Sequence, residues 1–402
     1  MRVVIAQGGG PTAVINESLV AALRHARDLG ADAVYGALNG IRGLAEDRLA
    51  DLTGLTNPHL ERLAATACAG LGSTRDKPDA GTLDRVVATL RRRGIGAIVS
   101  IGGNDTAGTL AQLADGARAR GLALACVHVP KTIDNDLAES DVSPGWPSAA
   151  RFVANAFAGI DLDMRAMPGV YVGVVMGRHA GWLTAASALW RRLPDDGPHL
   201  IYVPEQPFDA AAFVKDVAGI TDRLGRCVVA VSEGVVGADG RPAIEALAQQ
   251  AGTTLERDAH GNVQLTNSAL AEALRTTLVD HGIAGRVRAD TFGFVQRAYA
   301  DCRSPVDVAI ARAVGHAAVG LAWTGGSGAV TVTVGAGDES ITTGVVPLDR
   351  VAGQTRLVPP TFLAPDRPDV TSAFLDYARP LVGAPPPLAR LWVDAHGVAQ
   401  ID

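Results

Sequence analysis

Short apolar runs recur along this chain, and most of them end in a cluster of glycine and polar residues. Val3–Ala6, Ala97–Ile101, Ala123–Val129, Val170–Val175, Leu200–Val203, Cys227–Val231 and Val330–Val334 have strand length and little polar alternation. Runs of that kind read as strands buried on both faces. Helical patterns lie between them. Leu19, Val20 and Leu23 belong to a helix closed by Gly30. Leu83, Val86, Val87 and Leu90 keep the i, i+3, i+4, i+7 spacing of one buried helix face until Gly94 stops it, and a further helix is expected from Thr109 onward. Strands separated by helices predict an α/β protein whose mainly parallel sheets are covered by helices on each side. The proline-rich stretch Pro359–Pro387 is expected to wrap the surface as an irregular segment.

At 402 residues the chain has room for two ordinary domains, or one large one with insertions. With 48% apolar and 19% charged residues it has ample core and no disordered composition. Its apolar runs are strand-sized, short of the ~20 residues of a membrane span. The start Met1-Arg-Val-Val-Ile-Ala6 leads straight into a glycine turn, without signal-peptide architecture. The four cysteines show no CxxC spacing, and Cys126 and Cys227 sit inside apolar runs as small hydrophobes. A cytoplasmic protein with no membrane partner is expected. A net charge of −6 and 4% aromatic residues argue against a nucleic-acid surface, which needs basic stripes and stacking platforms.

The most informative segment is Val129-Pro-Lys-Thr-Ile-Asp-Asn-Asp136, directly after an apolar run. It places a lysine, a hydroxyl and two carboxylates at the carboxyl end of a buried strand, where open parallel sheets bind their ligands. That set suits phosphoryl transfer. The cation offsets phosphate charge, one carboxylate accepts a hydroxyl proton, and the other holds a metal ion. Gly8-Gly-Gly-Pro11 precedes a helix whose amides can receive an anion. In Gly102-Gly-Asn-Asp-Thr106 the glycines admit a ligand to the backbone, and Asn104, Asp105 and Thr106 supply polar ends. Gly70-Leu-Gly-Ser-Thr-Arg75 adds a third glycine turn with a cation. There is no GxxxxGK[ST] or HExxH, and the nine histidines show no metal-ligand spacing.

Together these segments resemble the phosphofructokinase family from Val3 to about Thr333. The glycine turn at Gly8-Gly9, Leu71-Gly-Ser-Thr-Arg75, the GGxDT-type turn, the TIDND-type loop, Val175-Met-Gly-Arg178, Pro204-Glu205, Ser232-Glu-Gly234 and Asp290-Thr-Phe-Gly-Phe-Val-Gln-Arg297 follow the family's order. The resemblance implies two Rossmann-like lobes with the active site in the cleft between them. An N-terminal phosphoryl-donor lobe would span 1–140, completed by part of 235–300. A C-terminal sugar-phosphate lobe would span 141–402. The implied reaction places a phosphoryl group on the 1-hydroxyl of fructose 6-phosphate, with Mg²⁺ as cofactor. By resemblance Asp134 is the catalytic base, Asp136 the magnesium-associated carboxylate, and Thr132 a contact to the transferred group. Met176, Gly177 and Arg178 would line the sugar and transition state, and Glu233 would hold sugar hydroxyls. Arg288 and Arg297 would bind the 6-phosphate, Arg288 reaching across from a neighbouring subunit of a homodimer or homotetramer. Gly9, Gly10, Arg75, Gly103, Asp105, Thr106 and Lys131 would bind the donor. Asn104 and Asp105 stand with Asp136 as metal contacts.

Two positions bear on the donor. ATP users of the family resemble GGDGS followed by GTIDND. Here Asp105 fills a glycine position and Lys131 replaces another glycine. Asp105 puts bulk and negative charge where an α-phosphate must lie, and Lys131 adds a cation for compact pyrophosphate. The chain therefore resembles the pyrophosphate-dependent branch, as do Gln264-Leu-Thr and Asp290-Thr-Phe-Gly. Other positions depart from the family. Phe294 stands where a tyrosine or histidine reaches the sugar phosphate, and phenylalanine cannot donate a hydrogen bond. Gly169 stands where ATP users carry an arginine, Arg165 lies out of register, and Asn104 replaces an acid. Arg286 is a candidate compensating cation. Two alternatives stay open at this point. One is a pyrophosphate-dependent kinase of sedoheptulose 7-phosphate, another sugar or a nucleoside-like alcohol. The other is a non-catalytic sugar-phosphate-binding paralogue.

Overall fold

The computed structural model of the chain describes residues 1–250, 268–283, 285–335, 340–393 and 396–401. Gln264-Leu-Thr lies outside the described residues. The predicted strands form two sheets. One contains β1 (Arg2–Gln7), β2 (Ala33–Ala37), β3 (Leu49–Asp51), β4 (Ile95–Gly102) and β5 (Ala125–Pro130). The other contains β6 (Val170–Val175), β7 (Leu200–Tyr202), β8 (Cys227–Ser232) and β9 (Val287–Thr291). The first sheet is completed by β10 (Gly328–Val334) and β11 (Ile341–Val346), giving the order β11-β10-β5-β4-β1-β2-β3. The second runs β7-β8-β6-β9, all parallel. Only β3 and β11, at the two edges of the larger sheet, are antiparallel to their neighbours. A hairpin of Leu391–Val393 with Ala399–Ile401 stands apart.

The apolar runs work as buried strands because successive side chains point to opposite faces. Val3 and Ile5 join the core beneath helices Ile15–Asp28 and Pro305–Trp323, with Leu19, Leu23, Ile310 and Val314. Val4 and Ala6 face Val86, Val87 and Leu90 of helix Ala80–Arg93 and Leu110 and Leu113 of helix Asn104–Ala119. Cys126 and Cys227 are fully buried, as their apolar surroundings predict. Helix Ala80–Arg93 ends as expected, with Gly94 in the left-handed region at φ 66°. Helix Trp146–Ala166 carries Ala150, Val153 and Phe157 into a core shared by both lobes.

Four expectations need correction. The larger sheet is completed by 328–346, and no described part of 235–300 joins it. Residues 287–291 instead pair with β6, while β10 takes the open edge of β5 in the registers Gly328↔Val127 and Ala329↔His128. The helix after β4 begins at Asn104, so Asn104, Asp105 and Thr106 form its first turn. The proline-rich tail contains helix Ser372–Val382, which buries Phe374, Ala378, Leu381 and Val382. Finally, helix Pro305–Trp323 is long and apolar enough to meet the criteria for a membrane span. Its apolar side packs on helix Ile15–Asp28 so closely that a Cβ on Gly315 would lie 2.3 Å from the Ser18 carbonyl oxygen.

Candidate active site

Strand direction assembles the site. The turns after β1, β4 and β5 and those after β6, β8 and β9 all follow carboxyl ends of parallel strands. In the first lobe they enclose a cavity of about 250 Å³, lined by Gly8–Gly10, Arg75, Gly103–Thr106, Lys131, Thr132, Asp134 and Asp136. Gln7 fixes the first turn from beneath. Its amide donates to Asn16 Oδ1 at 3.0 Å and its carbonyl oxygen accepts from Leu71 N at 2.9 Å. Gly9 N donates to Thr74 O, and Ser73 Oγ donates to Gly9 O at 2.6 Å, tying the Arg75 turn to the Gly9 turn.

Lys131 is buried, and its Nζ donates to Gly10 O at 2.6 Å. Gly9 has φ +76°, and a Cβ there would stand 3.1 Å from that ammonium, so the close approach depends on glycine. A Cβ on Gly10 would meet Arg297 Nε at 3.5 Å and Arg75 at 3.8 Å. Three cations thus converge on one glycine turn. Burial pulls the Lys131 ammonium down to about 8, with the charges of Arg75 and Arg297 adding to the effect and Asp134 opposing it.

Asp134 lies opposite these cations. Burial pushes its carboxyl up to about 7, and the like charges of Asp136 and Glu233 push in the same direction. Burial also raises Asp136, against a hydrogen bond from Thr132. Thr132 Oγ1 accepts from Asp134 N at 3.0 Å, and Thr132 N donates to Pro144 O at 3.1 Å. Asn135, between the two carboxylates, is left-handed at φ 53°. From the second lobe Glu233 is buried at the end of β8, and burial raises its carboxyl. Its charge and that of Arg297 both act on Asp134, so the two lobes meet there.

The Met176 segment is strapped in place. Met176 N donates to Gln296 Oε1 at 3.3 Å, and Ser232 Oγ donates to Gly177 O at 2.6 Å. Gly177 has φ +140°, and a Cβ on Gly234 would lie 2.0 Å from the Arg178 carbonyl oxygen. The Arg178 side chain is exposed at the mouth of this segment.

Some candidates have a different setting from the one the sequence suggests. Asn104 is engaged at both ends: its Oδ1 accepts from Asp105 N at 2.8 Å, and its Nδ2 donates to Gln354 O at 3.3 Å. Asp105 is exposed and pairs loosely with Lys77 at 3.6 Å, also on the cavity wall. Thr106 packs its side chain between Gly8 and Gly102. Phe294 is 64% exposed and holds the Arg297 guanidinium 4.3 Å from its ring centre. Arg288 projects from β9, the edge of the smaller sheet, and is exposed.

The departures from the family also have physical settings. A Cβ at Gly169 would lie 2.4 Å from Arg286 O, so no side chain fits without a backbone shift. Arg286 sits at the amino end of β9, with its guanidinium on Met167 Sδ at 3.8 Å, away from the cleft of this chain. Arg165 is absorbed in ion pairs with Asp161, Asp195 and Asp196.

Sequence reading missed three supports. His128 Nε2 lies 2.8 Å from Gly102 O and 3.2 Å from Gly103 O, bracing the Gly102–Gly103 turn from below. Buried Gln296 holds Met176. Asp307 accepts from Gly145 N, Ser148 N and Ser148 Oγ, and so anchors the loop beneath Thr132. A histidine inside an apolar run, and the place of Gln296 in the Asp290–Arg297 motif, were the sequence signals for them.

Two doubly covered lobes, with carboxylates and cations facing each other at their strand ends, define a phosphotransferase of the Rossmann-like kind. Residues 2–322 match the phosphofructokinase family model. The chain belongs to the phosphofructokinase family. It is 49% identical over 385 residues to pyrophosphate–fructose 6-phosphate 1-phosphotransferase of Rhodospirillum rubrum, covering 95% of this chain and 94% of that one. It is 35% identical to a sulfofructose kinase of Alkalicoccus urumqiensis, covering 82% of each chain. The crystal structure of a pyrophosphate-dependent phosphofructokinase from Nitrosospira multiformis matches with a TM-score of 0.84 at 28% identity, covering 99% of this chain and 97% of that one.

Proposed function

We propose that this protein is a pyrophosphate-dependent 6-phosphofructokinase, transferring a phosphoryl group from diphosphate to the 1-hydroxyl of fructose 6-phosphate. The observation that carries this reading is the convergence of Lys131, Arg75 and Arg297 on the Gly9–Gly10 turn, facing Asp134. Diphosphate is compact and highly charged, so a small pocket with three cations suits it better than a nucleotide. The relatives' names support the same donor and acceptor.

Asp134 takes the proton of the 1-hydroxyl as its oxygen attacks phosphorus. The new O–P bond forms as the bridging P–O bond breaks, and orthophosphate leaves. Lys131 and Arg75 offset charge on the transferring group and the leaving oxygen, joined by Arg297, which the resemblance assigned to the 6-phosphate and which here lies against Gly10. Thr132 orients the Asp134 backbone, and Met176, Gly177, Arg178 and Glu233 position the sugar.

Among the described residues no group of three or more His, Cys, Asp or Glu side chains is placed to hold a metal ion by itself. A magnesium ion would be taken largely by phosphates and water, since Mg²⁺ keeps several waters and uses one or two carboxylates. Asp136 and Asp105 are the residues to hold it, and bound there it would offset phosphate charge. Asn104, engaged at both ends, is the weakest of the three metal candidates. The exposed Arg288 on an edge strand suits donation across the interface of a homodimer or homotetramer. A cytoplasmic location fits the reading.

A second acceptor class is favoured by one observation: Phe294 offers a ring and no donor to the distal group. A kinase of another sugar phosphate such as sedoheptulose 7-phosphate, or of a sugar bearing a different distal anion, would tolerate that change. An acceptor screen with diphosphate and Mg²⁺, scored by phosphorylated product, tests both readings. Highest kcat/KM with fructose 6-phosphate supports the first. Failure with every acceptor overturns both and leaves a binding protein.

A further inference from the structure

The family match ends at residue 322, yet the polypeptide beyond it reaches the back of the loop that carries Asp134 and Asp136. Arg356 N donates to Asp136 O at 2.8 Å, and Arg356 Nη1 donates to Asn135 O at 3.3 Å. Asn135 Nδ2 donates to the Tyr377 hydroxyl at 2.9 Å, and that hydroxyl donates to Asp141 O at 2.6 Å. The other end of the Asn135 amide accepts from Ser143 N at 2.9 Å. Asn135 is therefore clamped at its side chain and its carbonyl while held in the left-handed region.

These groups are themselves held firmly. The Arg356 guanidinium lies 4.1 Å from the Trp182 ring centre, and Trp182 Nε1 donates back to Arg356 O at 3.1 Å. Tyr377 is stacked on Trp146 and tilted against Trp182 and Phe362. Glu205 accepts from Val358 N at 2.9 Å and from Gly181 N at 3.0 Å, fastening the same tail segment to the second lobe.

We propose that the tail segment carrying Arg356 and Tyr377 is a brace that fixes the spacing of Asp134 and Asp136, with Tyr377 and Arg356 as positioning residues for phosphoryl transfer. The catalytic part of this inference rests on the function proposed above. Two like-charged, desolvated carboxylates repel each other, and a left-handed asparagine between them is conformationally costly. Such an arrangement persists only if the surrounding structure over-determines it. Among the described residues, the Tyr377 hydroxyl is the one side-chain group that reaches both Asn135 and the Asp141 backbone.

Tyr377→Phe keeps the ring packing and removes only the hydroxyl. Its kcat should fall roughly 10–100-fold, the scale expected when a reacting group is displaced by a remote change. KM for diphosphate and acceptor should stay within about threefold, since ground-state binding groups are untouched. Backbone amide exchange across residues 131–143 should speed up while the rest of the chain keeps wild-type protection. Phe362→Leu is the control: it loosens the same aromatic cluster without touching Asn135, so it should lower the melting temperature and leave kcat near wild type. A Tyr377→Phe enzyme with wild-type kcat and wild-type exchange in 131–143 overturns the brace. So does a Phe362→Leu enzyme matching Tyr377→Phe in both readouts. If wild type phosphorylates no acceptor, the proposed function fails, and the exchange measurement still decides whether the tail holds the loop.

Discussion

The Lys131 ammonium donates to the Gly10 carbonyl at 2.6 Å, joining the loop after β5 to the turn after β1. One side chain thus closes the floor of the cavity and brings its charge to the position proposed for phosphate. Lys131→Met keeps much of the stem and removes the charge. It should raise KM for diphosphate at least ~10-fold, consistent with losing a charge-assisted contact worth about 1.5–3 kcal/mol. Initial rates over a diphosphate series give the answer, and an unchanged KM would place the donor elsewhere.

Asp134→Ala should lower kcat by ~10²–10⁴, the usual contribution of a general acid–base group, with substrate binding largely kept. Turnover above a tenth of wild type would mean that another group takes the proton.

The same carboxyl sets the pH dependence. A base works deprotonated, so kcat in the direction of sugar phosphorylation should decline below about pH 7, where Asp134 titrates. Donor affinity should weaken above about pH 8 as Lys131 loses its proton. Glu233→Gln removes one of the like charges that raise Asp134, so the acidic limb should move to lower pH. A pH–rate series on both proteins tests this, and an acidic limb that stays in place would remove Glu233 from the account.

Stability should show the opposite preference. An unfolded aspartate titrates near ~3.9, whereas folded Asp134 titrates at about 7. The folded state therefore binds more protons over that interval, and stability falls as pH rises through it. Asp134→Asn abolishes the penalty. Its melting temperature should exceed that of wild type at pH 8, with the gap closing towards pH 4. Equal melting curves at pH 8 would contradict the burial of this carboxyl.

Donor choice is tested by two glycines. Wild type with Mg²⁺ should use diphosphate and show negligible turnover with ATP. Asp105→Gly removes the carboxylate at the cavity mouth and should gain measurable ATP activity while losing some diphosphate activity. The double change with Lys131→Gly should shift preference further and non-additively, because both side chains line one cavity. An Asp105→Gly variant that folds and remains blind to ATP would overturn the donor assignment.

The sequence by itself determined the strands and the order of the ligand turns. Unbroken runs such as Val170–Val175 and Cys227–Ser232 are apolar on both faces, and only a doubly covered parallel strand buries both. It also determined that glycine turns, Lys131 and the two aspartates follow such strands, because these are local patterns. What tertiary structure alone decided were meetings between distant segments. That β10 takes the open edge of β5 in the larger sheet depends on which edge is left open, which no local window records. That Arg297 lies over Gly10, resting on Phe294, follows from how the lobes close. The tail Pro359–Pro387 reads as irregular because it is rich in proline. Yet its helix forms where Phe374 and Leu381 find a surface to bury against, and packing outweighs propensity there. The placement of Tyr377 and Arg356 behind Asn135 was invisible for the same reason. A hydrogen bond across more than two hundred residues leaves no period or spacing in the sequence, and only the folded chain brings its partners together.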